Sequence, residues 1–305
     1  MNYAYRLATL KLESDLELLE LSPWDGPAAA QADVAVRFGK VPLRFETPDR
    51  VEAIFQTRGR DEYLLSLPGT GRILIRHGRE VTVEPEADAD PLYTRALLTG
   101  PMQAMLWHQR GLLPLHANAV AIGDRAVALA GPSAAGKSTL AAILARDGHL
   151  ILADDVCAVD IGANPPRATV LPGVAPLRLW RDTIERLGLP LNGLRRALSD
   201  KEKFLVDRWS GCREPRRLAA VIVLARRMNV ALAIERLEGP LVDRMLRGVV
   251  HMRRQARALC REEDVSAGLA QMTQAGVTVW RLKVPDDPGC LEQAAAKVKD
   301  VLEQS

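Results

Sequence analysis

The sequence predicts an α/β protein with a strand-rich N-terminal region, and three observations support this fold class. From about residue 112 onward, buried apolar strands alternate with amphipathic helices. Residues 1 to about 86 consist mostly of runs in which apolar and polar residues alternate. A glycine-rich loop, GPSAAGKS, stands between one such strand and one such helix. We therefore divide the chain into a strand-rich region that ends in a helix, residues 1–111, and an α/β domain, residues 112–305.

Composition limits the functions that the chain can have. Its 305 residues are 48% hydrophobic and 26% charged, a mixture typical of soluble globular proteins. The net charge of +3 is too small to indicate a nucleic-acid partner. An apolar run of about 20 residues and a signal peptide are both missing, so we expect no membrane partner. The four cysteines form no C-x-x-C pair, which predicts free thiols and a cytoplasmic location.

The N-terminal region reads as strands followed by a helix with a break. DVAVRFGKV alternates apolar and polar residues, as a half-buried strand does. RILIRHGREVTVEP contains two alternating runs on either side of His77-Gly78, which predicts a hairpin. LYTRALLTGPMQAMLWHQRG reads as helical, with an interruption at Gly100-Pro101.

The second region alternates strands and helices. The strands LHANAVAI and AVALAG precede the glycine-rich loop, and the helix STLAAILARD follows it and ends before Gly148. Further strands are predicted at LILAD and at residues 219–225, 230–237 and 277–284, and LEQAAAKVKDVLEQ predicts a closing amphipathic helix. The basic stretch 251–264 reads as a solvated helix face, with a lid helix as the alternative.

The loop has the spacing G-x-x-x-x-G-K-[ST] of a phosphate-binding loop. Small residues let backbone N–H groups surround phosphate oxygens, and the following helix directs its positive dipole end at the anion. In this pattern Lys137 reaches the β- and γ-phosphates, and the Ser138 hydroxyl binds Mg²⁺. The predicted nucleotide-binding residues are Gly131, Ser133, Ala134, Ala135, Gly136, Lys137, Ser138 and Thr139.

Two carboxylates follow the next buried strand. Asp154 and Asp155 come at the end of LILAD, where a neighbour of the phosphate loop often holds Mg²⁺. Adjacent strand residues point to opposite faces, so both can act only if the strand ends there and the backbone turns. The alternative is that one of them only caps a turn. An LSGGQ-like signature and an N-K-x-D motif are missing, which disfavours ABC-type ATPases and GTPases.

Residues 113–160 resemble the catalytic domain of HPr serine kinase/phosphorylase and its relatives. The resemblance rests on His116 one strand before the loop, on the loop itself, and on the element Gly148-His149 through Asp154-Asp155. It implies a P-loop kinase domain of HPr kinase type that uses ATP and Mg²⁺. It further implies that one of the two aspartates accepts the proton of an acceptor hydroxyl while the other helps to hold Mg²⁺ with Ser138. By the same resemblance His116 orients this pair, and Lys137 completes the catalytic group.

The sequence also departs from the bifunctional HPr enzymes. Their E-I-R-G-x-G element is replaced by VLPGVAPLRLW, residues 170–180, and the missing glutamate argues against phosphorolysis. Within this stretch we expect Arg178 to pack at the surface rather than to contact phosphate. In Asp200-Lys201-Glu202-Lys203 either lysine could reach the γ-phosphate, or the stretch is only a charged loop.

These departures resemble a looser group of bacterial HPr kinase-like proteins. Some of its members phosphorylate a serine of ribosomal peptide precursors, including lasso peptide precursors. The resemblance implies a peptide or protein acceptor with a serine hydroxyl. The alternatives are a kinase for small molecules, such as an amino acid or a sugar, and a nucleotide-dependent sensor. HPr kinases form hexamers, so a homo-oligomer remains open, and the sequence fixes no oligomeric state.

Overall fold

The computed structural model describes residues 2–27, 29–227, 230–287 and 289–303, and it has a mixed α/β architecture. Within these ranges the strands form two eight-stranded sheets and one three-stranded sheet. The mixed α/β fold class predicted from the sequence is therefore confirmed. None of the described helices combines the length and the apolar character that a membrane crossing requires.

The first sheet is built from the N-terminal region, with strand order β1-β2-β3-β8-β7-β6-β5-β4. Its strands are β1 Tyr3–Leu7, β2 Leu10–Ser14, β3 Val34–Phe38, β4 Arg50–Val51, β5 Phe55–Arg58, β6 Glu62–Leu67, β7 Gly71–Arg76 and β8 Glu80–Pro85. The predicted hairpin is confirmed: β7 and β8 are antiparallel, and in their three-residue turn His77 and Gly78 have positive φ angles.

Two helices pack on this sheet, α1 Pro91–Leu98 and α2 Pro101–Gln109. Asp90 caps α1 by accepting a hydrogen bond from the Leu92 N–H, and the predicted break at Gly100-Pro101 separates the helices. The core that they share with the first sheet also includes Val156 and Leu259 from the second region. The two regions therefore share one hydrophobic core.

The second sheet has the order β10-β9-β12-β13-β17-β19-β18, and β11 pairs with β9. Its strands are β9 Leu113–Ile122, β10 Arg125–Ala130, β11 Leu150–Ala153, β12 Val156–Ala163, β13 Pro166–Val170, β17 Arg216–Arg227, β18 Ala233–Arg236 and β19 Thr278–Pro285. β10, β17 and β19 are parallel to one another, and β17 carries seven consecutive buried apolar residues, 218–224. The predicted strand at 230–237 begins only at Ala233.

Helices cover both faces of the second sheet. α3 Lys137–Arg146 and α8 Cys290–Glu303 cover one face, and α5 Pro240–Val249 and α7 Glu262–Gln274 cover the other. The stretch 251–264 is not one helix, because α6 Arg253–Ala258 ends before α7 and Cys260 between them has a positive φ angle. The four cysteines are free thiols, as predicted.

A small third sheet lies next to the phosphate loop. It consists of β14 Leu177–Trp180, β15 Arg195–Arg196 and β16 Lys203–Val206, in the order β14-β16-β15, and α4 Arg181–Arg186 follows β14. Leu177, Leu179, Phe204 and Val206 of this sheet pack into the same core as α3. This packing holds residues 177–206 beside the phosphate loop.

Candidate active site

The phosphate loop, residues 131–138, connects β10 to α3. Gly131 has φ +138°, and a Cβ atom there would lie 2.7 Å from the Leu224 carbonyl oxygen, so only glycine fits. Gly136, with φ +99°, precedes the first residue of α3, Lys137. The loop opens into a cavity of about 500 Å³. Among the predicted nucleotide-binding residues, the cavity is lined by Ser133, Ala134, Gly136, Lys137, Ser138 and Thr139. Ala135 is buried in the core beneath the loop.

Lys137 is held inside the loop by backbone carbonyl groups. Its Nζ atom donates hydrogen bonds to the carbonyl oxygens of Gly131, at 2.8 Å, and Pro132, at 3.1 Å. Burial lowers the pKa of this ammonium group, and the nearby Asp155 and Asp154 carboxylates oppose that effect. The ammonium group is therefore partly desolvated at the mouth of an anion-binding loop, where an added anion would interact with it strongly.

Asp154 follows β11 and is 2% exposed. Its Oδ1 atom accepts hydrogen bonds from Asn118 Nδ2, at 2.5 Å, and from the Ser138 hydroxyl, at 3.3 Å. Its Oδ2 atom accepts one from the Arg178 backbone N–H at 3.2 Å, and the Arg178 guanidinium lies 3.8 Å away. Burial raises the pKa of Asp154, although Arg178 acts in the opposite direction.

Asp155 has a different environment from its neighbour. Its φ angle of +70° shows that the backbone turns at this point, as the use of both carboxylates requires. Its side chain is half-buried, and Oδ1 lies 3.3 Å from His116 Nδ1. Burial alone would raise the pKa of this carboxyl, but the nearby His116, Arg178 and His251 together hold it below its ordinary value. Asp155 is therefore a carboxylate that stays ionised at neutral pH.

His116 contacts both the loop and Asp155, and a second histidine packs against it. His116 Nε2 lies 3.4 Å from Lys137 Nζ, and the rings of His116 and His251 meet edge to face at 4.9 Å. Ligand atoms of His116, Asp155 and His251 lie within 4.8 Å of one another. The adjacent Lys137 ammonium disfavours a metal ion at this cluster by charge repulsion. Burial lowers the pKa of His251 to about 4, so this ring is neutral at pH 7.

Sequence reasoning missed His251, which lies in the basic stretch that was expected to be a solvated helix face. His251 instead precedes α6, and His108 Nε2 donates a hydrogen bond to its carbonyl oxygen at 2.8 Å. No local pattern marks this residue. Val250 pairs with Leu115 of β9, and the His251 N–H donates a hydrogen bond to the Pro114 carbonyl oxygen at 2.9 Å, which brings His251 to His116. Asn118 was also missed, although its position two residues after His116 on β9 puts both on one strand face.

Two further expectations are corrected by the structure. Arg178 is not at the surface: it is 7% exposed, lines the cavity and contacts Asp154. The stretch 200–203 is not only a charged loop, because Lys203 begins β16 and lines the cavity, with Nζ 5.7 Å from the centre of the Trp180 ring. Lys201 is exposed and is not among the residues that line the cavity.

The oxygen atoms around Ser138 fit a magnesium ion. The Ser138 hydroxyl and one Asp154 oxygen lie 3.3 Å apart, and oxygen donors are the ligands that Mg²⁺ prefers. The Asn118 amide faces both of them through its nitrogen atom, Nδ2. The Asn118 Oδ1 atom is buried and has no hydrogen-bond partner. A buried oxygen without a partner is costly, and a hydrated cation beside it would satisfy it.

Comparisons with known proteins show a distant structural likeness. No protein-family model matches the chain, and no curated protein matches it. Among solved structures, the chain is similar to the HPr(Ser) kinase/phosphatase from Coxiella burnetii. The sequence identity is 15%, the TM-score is 0.32, and the match covers 63% of this chain and 97% of that chain. A likeness at this level does not transfer an activity to this chain.

Proposed function

We propose that this protein is an ATP- and Mg²⁺-dependent kinase of the HPr kinase-like group that phosphorylates a serine hydroxyl of a peptide or protein. The proposal rests on one observation: a single cavity holds a phosphate loop and two adjacent carboxylates with contrasting environments. Asp154 is buried beside the loop serine, and Asp155 is half-buried beside a histidine. These two environments suit two roles in phosphoryl transfer to a hydroxyl, since one carboxylate can hold the metal ion and the other can accept the hydroxyl proton.

The loop side of the cavity binds the nucleotide in this proposal. Backbone N–H groups of residues 131–138 and the Lys137 ammonium hold the phosphates. Ser138 and Asp154 would hold Mg²⁺, with Asn118 beside them, and the bound ion would neutralise charge on the phosphate oxygens. Because the Asp154 carboxylate already accepts hydrogen bonds from Asn118, Ser138 and the Arg178 N–H, it is fixed in place.

The other side of the cavity activates the acceptor. Asp155 accepts the proton of the serine hydroxyl as the serine oxygen forms its bond to the γ-phosphorus. The bond from the γ-phosphorus to the bridging oxygen breaks in the same transfer, and ADP leaves with that electron pair. His116 Nδ1 lies 3.3 Å from Asp155 Oδ1 and faces the proposed base, and the pKa of Asp155 favours the ionised form that a base requires.

A peptide acceptor is supported by the cavity edge. Trp180 lines the cavity yet is 41% exposed, and Lys203 lies over its ring. An exposed aromatic surface beside a catalytic cavity suits contact with a side chain of a bound peptide. A ribosomal precursor peptide, such as a lasso precursor, is our proposed acceptor on the sequence resemblance alone. A cytoplasmic location and a homo-oligomeric state belong to the same proposal.

Transfer from γ-labelled ATP in the presence of Mg²⁺ tests the function. Three acceptors are offered separately: HPr, a serine-containing precursor peptide encoded beside this gene, and a mixture of free hydroxy amino acids and sugars. We expect label in the peptide with the wild-type protein. The Lys137→Ala variant is the control, since it removes the loop cation, and we expect no label with it.

The other outcomes separate the alternatives. Label only in HPr would make HPr the acceptor, and label only in small molecules would replace the peptide kinase by a small-molecule kinase. Nucleotide binding without transfer to any acceptor would favour a nucleotide-dependent sensor. Equal labelling by wild-type protein and the Lys137→Ala variant would contradict the proposed role of the loop.

A further inference from the structure

A row of alternating charges runs from the N-terminal region to the candidate active site. Glu20 follows β2 and its side chain is fully buried. Its Oε1 atom accepts a hydrogen bond from Arg95 Nε of α1 at 3.0 Å and lies 3.9 Å from Arg178 Nη2. Arg178 in turn lies 3.8 Å from Asp154 Oδ2. The four side chains are each at most 9% exposed, so the charges act on one another with little screening by water.

Arg178 is shared between the two regions of the molecule. Its Nη2 atom donates a hydrogen bond of 2.6 Å to the Thr99 hydroxyl, at the end of α1, on the same side as Glu20. Its Nη1 atom faces Asp154 on the other side. The guanidinium therefore lies between a carboxylate of the N-terminal region and the carboxylate beside Ser138.

The row is poorly explained by stability alone. Glu20 Oε2, Arg95 Nη2 and Arg178 Nε are buried without hydrogen-bond partners. Burying charges costs desolvation energy, and well-packed apolar residues often serve stability equally well. A buried and incompletely satisfied charge row that ends at a catalytic carboxylate therefore points to a role in the site.

We propose that Glu20 is a positioning residue that draws the Arg178 guanidinium away from Asp154, so that Asp154 remains able to bind Mg²⁺. The inference rests on the proposed function, because it assumes Mg²⁺ at Ser138 and Asp154. When Glu20 is replaced by glutamine, Asp154 is the remaining carboxylate of the row, and the guanidinium is attracted only toward the cavity, where Asp154 lies 3.8 Å away and Asp155 lies beyond it. Arg178 then competes with the metal ion for Asp154. The strand-rich region thus tunes the metal site without contacting the nucleotide.

Nucleotide binding at increasing Mg²⁺ concentration tests this role without measuring activity. The full-length wild-type and Glu20→Gln proteins are titrated with ADP in a calorimeter, first without Mg²⁺ and then over a series of Mg²⁺ concentrations. We expect Glu20→Gln to raise the Mg²⁺ concentration for half-maximal enhancement of binding by roughly tenfold or more, as partners of metal ligands do. Affinity for metal-free ADP should stay unchanged.

Three further variants keep the test decisive. Glu84→Gln is the matched control. Glu84 lies on β8 of the first sheet, outside the charge row, and its carboxylate also accepts hydrogen bonds from two cations, Arg72 and Lys40. Glu20→Gln combined with Arg178→Gln removes one charge of each sign, and we expect part of the Mg²⁺ dependence to return. Thr99→Val removes the other partner of Arg178 without changing charge, and it serves if Glu20→Gln fails to fold.

The outcomes distinguish this inference from the proposed function. Normal Mg²⁺ dependence in both Glu20→Gln and Thr99→Val, with wild-type binding strengthened by Mg²⁺, would make the row merely structural and overturn the inference alone. A wild-type protein that binds no nucleotide at any Mg²⁺ concentration would overturn the proposed function, and the inference with it.

Discussion

Each of the two large sheets carries a histidine–aspartate pair, and the two pairs differ in their surroundings. In the first sheet, His77 Nδ1 lies 2.7 Å from Asp61 at the β7–β8 turn, and about half of each side chain is exposed. In the second sheet, the distance from His116 Nδ1 to Asp155 Oδ1 is longer, at 3.3 Å, but this pair adjoins the phosphate loop and Lys137. Proximity of a histidine to an aspartate therefore does not by itself mark a candidate active site. The second pair is distinguished by the neighbouring phosphate loop and by the partial exclusion of water.

The sheets themselves explain this difference. The first sheet leaves the His77 side chain about half exposed, although Gly78 beside it is buried against the end of α2. The second sheet is covered by helices on both faces, and the phosphate loop leaves β10 at the edge where β10 and β17 lie parallel. Ligands of α/β sheets bind at the carboxyl ends of such strands. The first sheet supplies support to that edge through its shared core and through Glu20.

The largest expected effect comes from breaking the catalytic pair. Asp155→Asn should lower phosphate transfer by roughly 10²- to 10⁴-fold, the range for loss of a general base, while nucleotide binding is largely preserved. Asp61→Asn breaks the pair of the first sheet and serves as the matched control, with transfer unchanged. Rates with γ-labelled ATP and ADP affinities give both quantities. Near-normal transfer by Asp155→Asn would exclude the carboxylate as the base.

The next prediction compares buried residues in the hydrophobic cores of the two large sheets. Leu129 of β10 and Ile75 of β7 are both fully buried, so Leu129→Ala and Ile75→Ala should each cost about 2–5 kcal/mol of stability. Leu129 lies two residues before Gly131, and we expect only its variant to weaken nucleotide binding as well. Urea unfolding and calorimetry on both variants test this. Equal weakening of nucleotide binding by the two variants would contradict a phosphate loop that depends on the core of its own sheet more than on the core of the first sheet.

A smaller effect concerns His108, which joins α2 to the His251 carbonyl group. Burial lowers the pKa of His108 to about 4, whereas in the unfolded chain it is about 6.5. Between these values the unfolded state binds the proton and the folded state does not, so stability falls as the pH falls below 6.5. At pH 5 this loss is about 2 kcal/mol.

His108→Gln tests the contribution of this residue, because glutamine does not titrate. We expect the variant to lose about 2 kcal/mol less stability than the wild type between pH 7 and pH 5, measured by urea unfolding at both pH values. A protonated His108 lowers the pKa of His251, so the difference between the two proteins includes a change at His251. Parallel pH profiles for the two proteins would show that His108 does not carry this acid sensitivity.

The smallest effect lies wholly in the first sheet. The Tyr63 hydroxyl is buried without a hydrogen-bond partner, so Tyr63→Phe should leave stability unchanged or raise it by about 1 kcal/mol. Tyr5→Phe is the contrasting variant, because the Tyr5 hydroxyl accepts a hydrogen bond from the Leu18 N–H at 2.8 Å. It should lose about 1 kcal/mol. Thermal unfolding of the two variants measures both changes in stability. A clear loss of stability in Tyr63→Phe would reveal a hydrogen-bond partner for the Tyr63 hydroxyl.

The sequence alone determined the features that depend on neighbouring residues. The hairpin at His77-Gly78, the helix break at Gly100-Pro101 and the loop between β10 and α3 each follow from local backbone preferences or side-chain periodicity. The pairing of Asp154 with Ser138 could be anticipated as well, because the strand after a phosphate loop tends to end beside it. These features need no knowledge of distant segments.

Tertiary structure alone decided how the site is arranged. The sequence could not separate Asp154 from Asp155, because their difference lies in burial and in partners from β9, β14 and residue 251. It placed Arg178 at the surface and left Glu20 and His251 unnoticed, although packing brings all three to the candidate active site or to the charge row that leads to it. The physical reason is that charge interactions and desolvation depend on distance in space, while a sequence pattern reports only spacing along the chain.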